Sequence, residues 1–218
     1  MRFEIFLIIC NYVGTVAFAA SGVLKGIKHK LDIFGITLLA VITALGGGIL
    51  RDILVAQIPD VLINPEGLYI AIITSGIMWL FTKKIRKKIK ISRRRKMKLY
   101  KLITTSNLIF DSIGLAAFTL IAANKSVSLE LNTVTTGILA AVTGVGGGII
   151  RDLLVTETPI VLREDIYAVL AFGGGILYHI CIIQFSFLKV PTMAILFIIM
   201  LIIRLVIIKY KVNLPNIN

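Results

Sequence analysis

The sequence predicts an all-α integral membrane protein with seven transmembrane helices, arranged as two inverted three-helix repeats followed by a seventh helix. Three observations support this prediction. The 218-residue chain is 57% hydrophobic and only 16% charged, with a mean hydropathy of +0.95, which is too apolar for a soluble domain. Apolar windows of membrane-spanning length recur along the chain. One motif, at residues 43–55, occurs again at 143–155.

Seven apolar windows are predicted to be transmembrane helices, at residues 3–24, 33–56, 68–82, 102–123, 132–155, 165–185 and 189–209. Turns that contain Gly, Pro or Asn separate most of them. We therefore divide the chain into a first repeat (1–82), a basic loop (83–101), a second repeat (102–185), and a seventh helix with a C-terminal tail (186–218).

The first window shares some features with a signal peptide, because Arg2 precedes an apolar run that ends near Ala19. The same pattern recurs inside the chain, where no signal peptide can lie. Glu4 and Asn11 also interrupt it. We therefore assign this window as the first transmembrane helix.

The net charge of +13 is concentrated in the loop at 83–101, which holds about half of the basic residues and no acidic residue. The positive-inside rule places this loop in the cytoplasm, with the N-terminus outside and the C-terminus inside. Short loops and this charge bias predict the plasma (inner) membrane of a prokaryote. The basic loop is expected to bind anionic lipid headgroups rather than nucleic acid.

The repeat extends beyond the motif. A constant offset of 100 residues pairs Gly14 with Gly114, Lys25 with Lys125 and Pro59 with Pro159, and a small slip then pairs Tyr69 with Tyr167. Each unit has three spans, an odd number, so the two units must cross the membrane in opposite senses. Inverted repeats of this kind are typical of transport proteins, whose functional site lies between the halves. The seventh span has no partner and is predicted to be peripheral.

Each copy of the motif contains three consecutive glycines: Gly46, Gly47 and Gly48 in the first, and Gly146, Gly147 and Gly148 in the second. One interpretation is close helix packing, which we also expect for the glycines at 173–175. The other, which we favour, is a kink or break that turns backbone carbonyls towards an aqueous path. The hydroxyls of Thr43 and Thr143, one turn earlier, would then be further cation ligands.

Each copy also contains an Arg-Asp pair: Arg51 with Asp52, and Arg151 with Asp152. Adjacent side chains on a helix point about 100° apart, so we expect each of the four to find a partner elsewhere. They either set the electrostatics or gate of a path, or form a structural ion-pair network. Arg151 is predicted to pair with Asp111 in the fourth span.

The residue equivalent to Asp111 in the first repeat is Asn11, so Arg51 is expected to lack the same partner. Lys25 and Lys125, at span ends, are interpreted as anchors at the membrane interface.

No other chemistry is indicated. Cys10 and Cys181 lie in apolar runs without disulfide or metal-ligand spacing, and His29 and His179 are interpreted as structural. There is no nucleophile triad and no phosphate-binding loop, so neither an enzyme nor a nucleotide-driven pump is expected. No cofactor or structural metal is expected either.

The two copies of GGGxxRD, each followed by a short apolar stretch and a proline, resemble the trimeric intracellular cation (TRIC) channel family. The chain is most similar to bacterial and archaeal members, whose repeated domain carries the label "glycine transporter". This resemblance implies a homotrimer with a pore in each protomer, lined mainly by spans one, two, four and five and kinked at the glycine triplets. It also implies conduction of K⁺ and Na⁺. The lysine-containing lipid-binding motif of animal members is not found in the second span. No span has the regular Arg or Lys spacing of a voltage sensor.

The sequence therefore predicts a channel for monovalent cations. The alternative is a secondary transporter of a small amino acid such as glycine, whose carboxylate and ammonium groups the Arg and Asp side chains would hold. A scaffold or lipid-interacting protein without a permeation path ranks third, because it leaves the doubled motif without a purpose. Ohmic current and saturable uptake distinguish the first two.

Overall fold

The computed structural model describes residues 2–88, 93–163 and 166–210, and within these residues it is helical, without β-strands. The helices are α1 (Arg2–Lys28), α2 (Ile33–Leu54), α3 (Asp60–Ile63), α4 (Glu66–Lys88), α5 (Arg93–Ser128), α6 (Thr133–Leu154), α7 (Ile166–Ile183) and α8 (Lys189–Tyr210), with a 3₁₀ turn at Ile160–Leu162. The prediction of an all-α fold is confirmed. The short helix α3 and the 3₁₀ turn, each following a proline, were not predicted.

Among the described residues, six segments are long and apolar enough to cross a membrane: Phe3–Lys28, Ile33–Leu54, Tyr100–Ser128, Thr133–Leu154, Ile166–Ile183 and Lys189–Tyr210. They match six of the seven predicted spans. The remaining span, at 68–82, lies in α4, whose apolar stretch is shorter and flanked by Glu66 and Lys83. α4 packs against α1 and α2 as the third helix of the first repeat.

The segment at 83–101 is not a loop throughout. α4 continues to Lys88 and α5 begins at Arg93, so the described part of this segment is helical, and residues 89–92 lie outside the described ranges. Lys and Arg are good helix formers, which explains how the flanking helices extend into it. Binding of lipid headgroups there stays a prediction, as does the orientation of the termini.

The backbone repeats itself at the offset of 100 residues. α2 and α6 begin and end at equivalent positions, and their N-caps, Asp32 and Asn132, each accept a hydrogen bond from the backbone N–H three residues on. Left-handed turn residues also match, with φ of 60° at Lys30 and 54° at Glu130. Equivalent helices pack on each other, α1 on α5 and α2 on α6. The repeat predicted from sequence is therefore a structural repeat.

The seventh span was predicted to be peripheral, but helix α8, which corresponds to it, contributes to the core. Its residues Met193, Leu196 and Met200 belong to a hydrophobic core with α5 and α7. A Cβ atom on Gly174 of α7 would lie 2.6 Å from the Met200 sulfur, so this glycine makes room for the contact. α8 also carries Arg204, which is buried.

Candidate functional site

The glycine triplets lie where α2 crosses α6. A Cβ atom on Gly47 would overlap the backbone oxygen of Thr143, and a Cβ atom on Gly147 would overlap that of Thr43. Both helices continue through their triplets without interruption, so the expected helix break is absent. The middle glycines allow two backbones to touch, which is the close-packing interpretation. A bend of the helix axis stays a prediction.

Thr43 and Thr143 lie outside the two cavities described below. Both are fully buried, and their hydroxyls donate to the carbonyl oxygens of Leu39 (2.5 Å) and Leu139 (2.6 Å). A threonine in a helix commonly satisfies its hydroxyl on the carbonyl four residues earlier. The role of these two residues as cation ligands stays a prediction.

Two cavities are lined by residues of both repeats. The first, here called the Arg51 cavity, has a volume of about 430 Å³ and lies among α1, α2, α5 and the segment at 60–67. Its polar lining consists of Asn11, Thr15, Arg51, Asp52, Asp60, Asn64, Glu66, Asn124, Lys125 and Ser128. The second, the Lys25 cavity, has a volume of about 400 Å³ and lies among α1, α5, α8 and the 3₁₀ turn. Its polar lining consists of Lys25, Lys28, Thr104, Asn107, Glu157 and Arg163.

The internal repeat relates these cavities to each other. Lys125 lines the first and Lys25 the second, and the same offset pairs Ile8 with Leu108. The two cavities are therefore equivalent under the repeat, and each is formed by residues of both halves.

The arginine and aspartate of each motif contact each other, contrary to our expectation that they point apart. Arg51 Nε donates to Asp52 Oδ1 at 2.7 Å, and Arg151 Nε donates to Asp152 Oδ1 at 2.9 Å. The long arginine side chain folds back along its helix to reach its neighbour. The other carboxylate oxygen of each aspartate accepts the backbone N–H of residue 60 or 160. Each aspartate thereby fixes the connector that follows its helix.

Lysines from the opposite repeat complete both sites. Lys125 Nζ lies 2.8 Å from Asp52 Oδ1, and Lys25 Nζ lies 2.8 Å from Asp152 Oδ1. Lys25 is only 3% exposed, so the interpretation of Lys25 as an interfacial anchor is wrong. Lys125, which was also predicted to be an anchor, forms the equivalent ion pair with Asp52. A buried ammonium group requires such a carboxylate, and the pairs tie the two repeats together.

The predicted pair of Arg151 and Asp111 is confirmed. Arg151 Nη1 lies 2.7 Å from Asp111 Oδ1 and donates a second hydrogen bond to Ser21 Oγ at 2.6 Å. Tyr167 donates its hydroxyl to Asp111 Oδ2 at 2.6 Å. All four side chains are buried. We call Asp111, Arg151 and Tyr167 the central cluster.

Sequence reasoning missed two parts of this region. Besides matching Tyr69, Tyr167 is expected from the sequence to be an aromatic residue at the inner membrane interface; this is wrong, because it is buried and bonds Asp111. Arg204 was not considered, although it is the one charged residue of the apolar run between Lys189 and Lys209. Its guanidinium carbon lies 4.6 Å from the centre of the Tyr167 ring, a cation–π contact.

Arg51 takes a different partner from Arg151. Its Nη2 lies 2.6 Å from Asp60 Oδ2, in the connector after α2, and the Asp60 side chain is 65% exposed. The expected lack of a partner equivalent to Asp111 is thus confirmed, because Asn11 stands in that place.

Glu157 joins the end of α1 to the connector after α6, at the Lys25 cavity. It accepts hydrogen bonds from Lys25 and Lys28, both at 2.8 Å, and lies 2.6 Å from His29 Nε2. Partial burial alone would raise the pKa of Glu157. The hydrogen bonds from Lys25, Lys28 and His29 outweigh burial and hold the pKa well below its ordinary value.

Replacing Glu157 with glutamine is expected to lower stability by about 1–2 kcal/mol at pH 7, because the ion pairs are lost. A carboxylate whose pKa is lowered by folding stabilises the protein above its unfolded pKa, about 4.3, and this contribution is lost as pH falls further. The melting-temperature difference between parent and variant should therefore shrink below about pH 4. Glu130→Gln, at an exposed glutamate, is the control, and a difference independent of pH would contradict the assignment.

Fold and site define a class of protein. This is a multi-pass membrane protein with an internal inverted repeat, whose halves meet at buried glycines and at the ion pairs of Lys25 with Asp152 and of Lys125 with Asp52. The family described as Glycine transporter matches residues 8–83 and 108–182, one match in each repeat. The UPF0126 inner membrane protein YadS of Escherichia coli is 34% identical over 207 residues, covering 94% of this chain and 93% of that protein.

Two solved structures of TRIC channels are similar to this chain in fold and sequence. A crystal structure of a prokaryotic TRIC channel superposes with a TM-score of 0.83 at 33% identity, covering 97% of this chain and 100% of the other. A structure described as a basis for conductance through TRIC cation channels gives a TM-score of 0.79 at 32% identity, covering 100% of this chain and 98% of the other. The chain belongs to the TRIC family, as the doubled motif predicted.

Proposed function

We propose that this protein is a channel for monovalent cations, K⁺ and Na⁺, with one conduction path in each protomer. One observation carries the proposal. Two cavities related by the internal repeat adjoin the region of the glycine contact and the central cluster: Gly48 lines the first, and Asn107, which lines the second, bonds Ser21, a partner of Arg151. We infer that a conduction path joins the two cavities and that the central cluster is its buried barrier.

The lining of the Arg51 cavity suits a partly hydrated cation. Carboxylates of Asp52, Asp60 and Glu66 lie there together with neutral oxygen donors such as those of Asn11 and Thr15. Oxygen atoms replace part of the hydration shell of a cation that leaves bulk water. Asp52 also shares its charge with Arg51 and Lys125, so it is a weaker cation site than the more exposed carboxylates.

The central cluster is the proposed gate. Arg151 is fully buried and its charge is offset by Asp111 and Asp152, so it blocks a cation by occupying the path. Conduction therefore requires Arg151 to move away from the path, together with its partners Asp111 and Asp152. The contact of Gly47 with Thr143 and of Gly147 with Thr43 must loosen at the same time. A bend at the two glycine triplets would achieve this.

Family membership supports two further parts of the proposal. TRIC channels are named as trimeric, and we extend a homotrimer to this chain. YadS is named as an inner membrane protein, and we extend that location too, with the termini oriented by the basic segment at 83–101.

The experiment is a recording from purified protein in a planar bilayer with a KCl gradient. We expect discrete openings and a reversal potential close to the equilibrium potential of K⁺ rather than that of chloride, because the accessible carboxylates favour cations. Replacing K⁺ by Na⁺ should retain current, and glycine should leave it unchanged. Bilayers with heat-denatured protein are the control. Absence of current would contradict the channel.

A glycine transporter is the second candidate. The observation that favours it is the meeting of Lys125 with Asp60 and Glu66 on the wall of one cavity, where a zwitterion would find both charges. However, a cavity of about 430 Å³ is of the size that holds a drug-sized molecule, several times larger than glycine. Saturable glycine uptake into liposomes, combined with silent bilayers, would establish this alternative.

A further inference from the structure

The two halves differ at the positions that surround the motif arginine. Besides its neighbour Asp152, Arg151 bonds Asp111 and Ser21, and Tyr167 in turn bonds Asp111. At the equivalent positions around Arg51 the chain has Asn11, Ile121 and Tyr69. Asn11 has no charge, Ile121 has no hydrogen-bond acceptor in its side chain, and Tyr69 is 59% exposed.

In the connector that follows the motif helix, it is the first repeat that has the charged partner for its arginine. Position 60 is an aspartate, which pairs with Arg51, whereas position 160 is an isoleucine and is buried. Every one of these differences holds Arg151 inside the molecule and draws Arg51 towards the connector.

The space around the last glycine of each triplet shows the consequence. A Cβ atom on Gly48 would meet no atom within 4 Å, and Gly48 lines the Arg51 cavity. A Cβ atom on Gly148 would lie 3.4 Å from the Tyr167 hydroxyl and 3.6 Å from Asp111 Oδ1. The pocket that is open in the first half is therefore filled by the central cluster in the second.

Inverted repeats permit a protein to exchange the conformations of its halves, which opens one side as the other closes. In this chain the exchange would bury Arg51 against Asn11 and Ile121, which add no second carboxylate to Asp52. It would also leave Asp111 buried without Arg151. Burying a carboxylate without its charged partner is strongly unfavourable, so the exchanged state is disfavoured.

We propose that Asn11 keeps the Arg51 cavity permanently open, so that the protein has one gate, at the central cluster, rather than two that alternate. This inference deepens the proposed function, because a single gate suits a channel and not an alternating-access transporter. Asn11 acts as a positioning residue. Because it is uncharged, unlike Asp111 at the equivalent position, it does not draw Arg51 away from Asp60.

The test measures how fast a small water-soluble methanethiosulfonate reagent modifies a cysteine at Gly48. The full-length protein is used in detergent after replacement of the free Cys10 and Cys181 by alanine. Gly48→Cys should react faster than the equivalent Gly148→Cys. Adding Asn11→Asp supplies Arg51 with a carboxylate equivalent to Asp111 and is expected to slow the reaction at residue 48 about tenfold.

Two companion variants make the result specific. Arg51→Gln, added to Asn11→Asp, removes the side chain that closes the cavity and should restore the parent rate. Ile121→Ser supplies the hydroxyl that Ser21 gives to Arg151, and should slow the reaction about fivefold even if Asn11→Asp fails to fold.

Unchanged modification rates in folded Asn11→Asp and Ile121→Ser would overturn the proposal, and so would slowing that persists after Arg51→Gln. Modification is measured without any ion current. A silent bilayer therefore contradicts the proposed channel without affecting this test. Unchanged modification rates, in turn, contradict the single gate without contradicting the channel.

Discussion

Replacing Asp111 with asparagine is expected to destabilise the protein by about 3 kcal/mol and to increase the open probability of the channel. Arg151 is fully buried, and in the variant it loses its charged partner across the bundle while keeping Asp152. The guanidinium is then held less firmly in the path. Thermal unfolding in detergent measures the first effect, and single-channel recording the second. Unchanged single-channel records would contradict the role of Asp111 in the gate.

A double-mutant cycle isolates the interaction itself. Asp111→Ala and Arg151→Ala should show a coupling free energy of about 1–3 kcal/mol, because each change removes the same hydrogen-bonded ion pair. The equivalent pair, Asn11→Ala and Arg51→Ala, provides a matched control and should be additive. Additive effects at Asp111 and Arg151 would show that the pair contributes nothing specific to stability.

Replacing Gly47 with alanine is expected to destabilise the protein by about 3 kcal/mol or more. The added Cβ would overlap the backbone oxygen of Thr143, and backbone cannot move aside as the end of a flexible side chain can. α2 and α6 would have to separate along their whole crossing. Gly147→Ala, which meets the oxygen of Thr43, should have a similar effect.

Gly48→Ala is the matched control for this prediction. It adds the same methyl group one residue away, into open space, and alanine favours a helix by about 1 kcal/mol over glycine. We expect its melting temperature to equal or exceed that of the parent. Equal melting temperatures for Gly47→Ala and Gly48→Ala would show that the triplets do not serve close packing.

The spans, the repeat and the family could be predicted from the sequence. Apolar windows need only length and composition to be recognised, and an offset of 100 residues is visible in the chain itself. The pair of Arg151 and Asp111 could also be predicted, because a buried charge in a membrane needs a partner and few candidates exist. The same argument identified Asn11 as the odd position of the first repeat.

Other features depend on how helices that are distant in sequence meet. Nothing local to Lys25 indicates that it is buried against Asp152 and Glu157, since a lysine at a helix end is equally suited to the membrane interface. Thr43 and Thr143 have the composition of cation ligands, but their hydroxyls are satisfied within their own helices.

Composition and the internal repeat were enough to predict which segments enter the membrane, which are duplicated, and which charges need a partner. The partner of each charge depends on the tertiary structure, because it is set by how α6 packs against α1, α2 and α5. Those contacts between helices bring together residues about 40 to 130 positions apart, such as Arg151 with Asp111 and with Ser21. They also determine that a glycine triplet is a contact between two continuous helices rather than a break in one.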